Sequence, residues 1–162
     1  MDTPADLAAA VHALLLDRGW TVASAESLTG GALGARLSST PGASATYRGG
    51  VVCYATDLKQ SLLGVDDAVV AGPGVVSAEC AAQMAAGVRR LAGADVGVST
   101  TGVAGPDPQE GKPVGLVHVA VALPDAVRTT ELHLSGDRAA IREQACREAV
   151  RAVWATLVGE AV

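Results

Sequence analysis

The sequence predicts an α/β fold, a three-layer α/β/α sandwich around a mixed central sheet. Helix-like and strand-like periodicities alternate along the whole chain, separated by short Gly- and Pro-containing breaks, which is the pattern of helices packed on both faces of a sheet. With 162 residues and 49 % hydrophobic content the chain can fill a proper core, since a domain of this size hides roughly 70 % of its unfolded surface. Aromatics are only 2 % and Phe is absent. The core is therefore built from Ala, Val and Leu, which favours close helix-on-sheet contact over bulky clusters.

The first element is an amphipathic helix over residues 6–18, starting after Pro4 and ending at Gly19. Residues 20–25 read as a buried strand, 31–38 as a helix and 41–44 as a loop. Gly49-Gly50 leads into a strand over 51–55, followed by a short helix over 56–63 that Gly64 stops. Ser77 caps a longer helix running to Ala92, with Glu79 in its first turn and Ala81, Met84, Ala85, Val88 and Leu91 as its apolar face. A strand over 95–101, a Gly/Pro loop over 102–114 and a strand over 115–123 follow. Residues 128–134 suit an edge strand, and a long helix over 137–158, capped by Asp137, closes the chain. There is no repeat, low-complexity tail or linker, so a single domain over residues 1–162 is expected.

Composition removes several function classes. The net charge of −5, with no local basic block, argues against nucleic acid as a partner. Cys53, Cys80 and Cys146 lie far apart without metal-like spacing, so buried free thiols are expected. His12, His118 and His133 are scattered, and neither a metal site nor a His-based triad is expected. The N-terminus lacks a basic leader region, and the apolar run over 7–16 is too short to span a bilayer and carries His12. No membrane association and a cytoplasmic location are the expectation.

Three segments carry chemistry. In Ala25-Glu26-Ser27-Leu28-Thr29-Gly30-Gly31 a strand hands over to a helix, and Ser27 sits where unpaired backbone N–H groups and the positive end of a helix dipole meet. Ser27 suits a nucleophile there, and equally a helix cap. The second segment runs from Gly49 to Lys59. The chain has ten arginines and only two lysines, Lys59 and Lys112. A lysine can lose its proton when desolvated and an arginine cannot, so Lys59 is either a base or an ordinary solvated helix lysine. The third segment, 99–115, mimics a Walker A loop, but five residues separate Gly105 from Gly111 and Pro113 stands where Ser or Thr should bind magnesium. What remains is a strand end with Thr100, Thr101 and a Gly-rich turn, a usual border of ligand crevices.

Together, these segments with Pro41-Gly42-Ala43-Ser44, Leu63-Gly64-Val65, Val76-Ser77, Thr101-Gly102-Val103-Ala104-Gly105-Pro106 and Lys112-Pro113-Val114-Gly115 resemble the CinA C-terminal domain family over nearly the whole chain. The stand-alone enzyme form of that family is a nicotinamide-nucleotide amidohydrolase. The resemblance implies an α/β/α fold and deamidation of nicotinamide mononucleotide to nicotinic acid mononucleotide and ammonia, a salvage step that needs no cofactor. It implies Ser27 as nucleophile and Lys59 as base, with Tyr54 and Thr101 at the same pocket and Arg142 as an anion contact. Backbone donors near Thr29, Gly30 and Gly31 would hold the oxyanion, and Gly30, Gly31, Thr101 and Gly102 the phosphate. Asp107-Pro108 stands where the family is usually glycine-rich, and Thr56 where Asn is common. The amino-terminal domain of full-length CinA is expected to have no counterpart here. A small-molecule nucleotide is the expected partner, and a homodimer or higher homo-oligomer the expected state. Two other classes stay open: a noncatalytic nucleotide-binding or competence/damage-associated module, and an amidase for another small amide.

Overall fold

Residues 3–159 are described by the computed structural model; Met1, Asp2 and residues 160–162, including part of the N-terminal segment read above for a leader, lie outside them. Helix α1 (Leu7–Arg18), strand β1 (Val22–Glu26) and helix α2 (Ala32–Leu37) come first, then a single 3-10 turn (Ala43–Ala45) and strand β2 (Tyr47–Val52). Helices α3 (Thr56–Leu63), α4 (Asp67–Ala71) and α5 (Ala78–Ala92) follow. Strands β3 (Val96–Gly102), β4 (Leu116–Ala122) and β5 (Val127–His133) and helix α6 (Arg138–Val158) complete the fold. The caps are those the sequence supplies: Asp6, Ser77 and Asp137 accept from the N–H groups of Ala9, Cys80 and Ala140.

The five strands form one mixed sheet in the order β2-β1-β3-β4-β5. β1 is parallel to both β2 and β3, whereas β3/β4 and β4/β5 are antiparallel. Alternation of side chains along the strands makes two cores. Val22, Val96, Val98, Val117, Val119 and Val121 pack with residues of α1, α2 and α6. Ala23, Ala25 and Cys53 pack with Leu63, Met84 and Val88 on the opposite face. β5 is the edge strand expected from its sequence.

Two expectations need correction. The strand placed at 51–55 is β2, Tyr47–Val52, and the Gly49-Gly50 pair lies inside it rather than leading into it. Its register with β1 shifts between Val22 and Ala23. The glycine is required by contact: a Cβ on Gly50 would stand 2.3 Å from Ser24 Oγ. Beyond Val52 the chain leaves the sheet because the carbonyls of Cys53 and Tyr54 turn to Lys59. The short α4 was not foreseen; five residues are too few to show a 3.6-residue period.

Topology then places the site. The chain leaves β1 toward β2 on one side and later reaches β3 on the other, so the crevice beyond the carboxyl ends of these three parallel strands is the natural ligand position. Ser27, Cys53 and Val103 are the first residues past those ends.

The scarcity of aromatic residues is matched by close approach of backbone to backbone. A Cβ on Gly97 of β3 would stand 2.1 Å from the Ala85 carbonyl oxygen of α5. Gly97→Ala is expected to lower unfolding free energy by about 1–3 kcal/mol, as overpacking does, in a urea titration. A loss below about 0.5 kcal/mol, the range of neutral surface changes, would contradict this packing.

Candidate functional site

Ser27 does not cap α2. The helix begins five residues later, at Ala32, and its N-terminal donors are met by Glu26, the last residue of β1. Glu26 is 2 % exposed. Its Oε1 accepts from the N–H groups of Gly31 (3.1 Å) and Leu33 (2.8 Å), and its Oε2 from Gly34 (3.0 Å). A carboxylate at the positive end of a helix is favourable in itself, and here it takes the Gly31 donor that sequence reading offered to an oxyanion or phosphate. Gly30 N–H is likewise engaged, donating to the Ser27 carbonyl at 3.1 Å. The Ser27 turn is thereby fixed from below, and its hydroxyl is directed away from α2 toward Lys59.

Lys59 comes to Ser27 from α3. Although Lys is among the residues least often fully buried, this one is 1 % exposed. Its Nζ lies 3.1 Å from Ser27 Oγ and donates to the carbonyl oxygens of Cys53 (2.8 Å) and Tyr54 (3.1 Å). Among the described residues no carboxylate forms an ion pair with it. Desolvation by burial therefore dominates and lowers its pKa from the ordinary lysine value of 10.5. In the neutral amine the two carbonyls take both N–H groups, leaving the lone pair for the Ser27 hydroxyl. Burial acts oppositely on the thiols nearby: the Cys53 pKa is raised and that of Cys80 is pushed up to about 11. Both sulfurs are protonated and unreactive at neutral pH.

Ser27 and Lys59 open into a cavity of about 120 Å³. Leu28, Tyr54, Val75, Thr101, Gly102 and Ala104 line it, with Gly105, Asp107, Gln109 and Arg138 among the remaining wall residues. Thr101 Oγ1 donates to the Val75 carbonyl at 2.6 Å, tying β3 to the segment before α5. Glu110 and Lys112 hold the same segment from the other side. The Glu110 carboxylate accepts from the N–H groups of Val75 and Val76 at 3.2 and 3.3 Å, and Lys112 Nζ donates to the carbonyls of Pro73 and Val76. Each of the chain's two lysines thus donates to a cluster of carbonyl oxygens, a task suited to a compact ammonium or amine rather than a planar guanidinium. A wider depression of about 660 Å³ beside α1 and α2 shares no residue with this cavity.

Of the residues singled out in the sequence, Ser27, Tyr54, Lys59, Thr101 and Gly102 line one cavity. Thr29, Gly30, Gly31 and Arg142 do not line it, which corrects their placement as substrate contacts. Thr29 is buried and its hydroxyl pairs with that of Thr100 at 2.8 Å. Arg142 reaches back from α6, its Nε donating to the Leu28 carbonyl (2.9 Å) and its Nη2 to that of Thr29 (3.2 Å). It anchors the Ser27 turn instead of facing the cavity. Sequence reading missed Glu26 and Arg138. A carboxylate closing an otherwise uncharged, buried strand was the signal for the first, and a cation at the first position of a helix, where the dipole opposes it, was the signal for the second.

Among the described residues no group of three or more His, Cys, Asp or Glu is placed to hold a metal ion, and no helix is long and apolar enough to cross a membrane. Residues 4–157 match the CinA C-terminal domain family model. A CinA-like protein of Frankia casuarinae is 52 % identical over 149 residues, covering 92 % of this chain and 34 % of that protein. The chain thus spans about a third of the length of the curated relatives it matches. A CinA superfamily protein from Klebsiella pneumoniae superposes with a TM-score of 0.92 at 35 % identity, covering 95 % of this chain and 97 % of that one. A competence/damage-inducible protein from Agrobacterium tumefaciens gives a TM-score of 0.86 at 33 % identity, covering 98 % and 99 %. By sequence and by fold, this chain belongs to the CinA C-terminal domain family.

Proposed function

We propose that the chain is an amidohydrolase that uses Ser27 as nucleophile and Lys59 as general base, and that its substrate is nicotinamide mononucleotide. The observation that carries this reading is the buried Lys59 amine 3.1 Å from Ser27 Oγ. Its bonds to the Cys53 and Tyr54 carbonyls have a structural role, but a buried amine with no counter-ion beside a hydroxyl at a cavity floor is also the environment a general base needs.

In the proposed reaction Ser27 Oγ attacks the carboxamide carbon as its proton passes to Lys59 Nζ. The oxyanion is met by the wall N–H groups of Leu28, Ala104 and Gly105, which enter no backbone hydrogen bond among the described residues. Lys59 returns the proton to the departing amine, ammonia leaves, and water attacks the resulting ester with Lys59 again accepting a proton. Products are the free acid and ammonia. The electron-poor pyridinium ring activates the amide carbonyl, so the nucleotide is a suitable substrate for a site with one serine and one amine. The resemblance to the family's amidohydrolases supports this choice, and the buried position of Lys59 counts against a noncatalytic binding module.

Purified protein is expected to release ammonia from nicotinamide mononucleotide in the presence of a chelator. Ser27→Ala should lose about 10³-fold or more in kcat while still binding nucleotide. Lys59→Arg, which is permanently charged and cannot deprotonate, should lose about 10²–10⁴-fold. Full kcat in Lys59→Arg would contradict the base role, and turnover of other small amides but not the nucleotide in the same assay would reassign the substrate.

The folded-state pKa of Lys59 lies below its unfolded value of 10.5, so folding disfavours the proton it carries when unfolded. Its contribution to stability is fully present above the unfolded pKa and is lost as pH falls through the folded one. The difference in unfolding free energy between wild type and Lys59→Met should therefore move in favour of wild type as pH rises from 7 toward 10, in parallel urea titrations. A difference independent of pH would show that burial does not perturb this amine.

A further inference from the structure

Arg138, the first residue of α6, lines the Ser27 cavity, and no other guanidinium does. Its Nη1 donates to the Gly105 carbonyl at 2.6 Å and its Nη2 to Tyr54 Oη at 2.9 Å. Both partners are neutral, and among the described residues no carboxylate forms an ion pair with it. Asp107 lines the same cavity without pairing with it. A cation at the first position of a helix is opposed by the helix dipole, so the charge of Arg138 does not serve the stability of α6. Tyr54, its other contact, is 58 % exposed, which puts the pair at the solvent end of the cavity while Lys59 lies buried at the inner end.

We propose that Arg138 is the specificity-determining residue that binds the phosphate of a phosphomonoester substrate. The inference deepens the nucleotide-amide reading and rests on it for the identity of the substrate. A guanidinium presents two parallel N–H donors that match a phosphate in bidentate geometry, and the bond is charge-assisted. Held by Gly105 and Tyr54, the side chain loses little freedom on binding, and at the cavity mouth the phosphate keeps part of its water. The amide is then directed inward to Ser27 with the ribose between. Arg138 also links the two walls, since Gly105 follows β3 and Tyr54 follows β2. The phosphate role, now assigned to Arg138, replaces the donors at Gly30 and Gly31 that Ser27 and Glu26 already occupy.

The test compares wild type, Arg138→Gln and Arg138→Lys by ammonia release from nicotinamide mononucleotide and from nicotinamide riboside, which lacks the phosphate. The expected result is a rise in KM for the nucleotide of at least about tenfold in Arg138→Gln, with a loss in kcat/KM at least about fivefold larger for the nucleotide than for the riboside. Arg138→Lys should fall between, keeping the charge without the bidentate fork. An equal loss on both substrates would overturn the proposal and make Arg138 a brace for Gly105 and Tyr54, and so would no change on either. Calorimetric titration with ribose 5-phosphate and with ribose separates this from the amidase reading. Ribose 5-phosphate binding that weakens about tenfold or more in Arg138→Gln supports the phosphate site even where no ammonia is released. Binding that is undetectable in wild type, or equal in both proteins, overturns it even where ammonia release is intact.

Discussion

The site depends on the burial of one amine. Lys59 extends from α3 into the space where β1 and β2 end, and the three polar atoms around its Nζ are a hydroxyl and two carbonyls, none of them charged. An ammonium in that position gives up bulk water without gaining a counter-ion, which is why its proton is held weakly. Two of these contacts decide the path of the chain: the carbonyls of Cys53 and Tyr54 turn from the sheet to meet Lys59, so β2 ends at Val52 and Tyr54 lines the cavity. Sheet termination, base and cavity wall are one arrangement.

Around it, neighbouring groups fix the nucleophile without competing for its hydroxyl. Glu26 neutralises the start of α2, Arg142 holds the carbonyls of Leu28 and Thr29, and the Ser27 N–H donates to the Thr100 carbonyl at 3.0 Å. The serine is pinned on each side of its backbone while Oγ remains directed at Lys59. On the far wall, Glu110, Lys112 and Thr101 fasten the segment at Val75 and Val76 by side-chain to backbone bonds. Small residues throughout the core make these short reaches possible, since helices and strands approach within the width of a glycine.

The layering of the fold was legible because the helices and strands alternate cleanly and their caps, Asp6, Ser77 and Asp137, are explicit in the sequence. The β2 boundary was not, because a glycine pair reads as a turn unless one knows that Ser24 passes close beside it. Ser27 and Lys59 stood out, one by its place at a strand-to-helix junction and the other by the near absence of lysine. Assigning anion binding to Gly30, Gly31 and Arg142 went astray for a physical reason: a helix N-terminus attracts anions, but Glu26 already fills this one. A local pattern identifies donors; only the fold shows whether they are already taken. Arg138 was hidden the same way, since its contacts with Gly105 and Tyr54 join positions far apart in sequence.

Because the chain has only two lysines, the ionisation of Lys59 can be observed directly. Protein labelled with carbon-13 at the lysine ε position should give two resonances, assigned by comparison with Lys112→Arg. The account predicts that the Lys59 resonance titrates clearly below the ordinary lysine value of 10.5. A Lys59 resonance that titrates at or above 10.5 would mean that the amine beside Ser27 is a permanent cation, and the general-base account would be wrong.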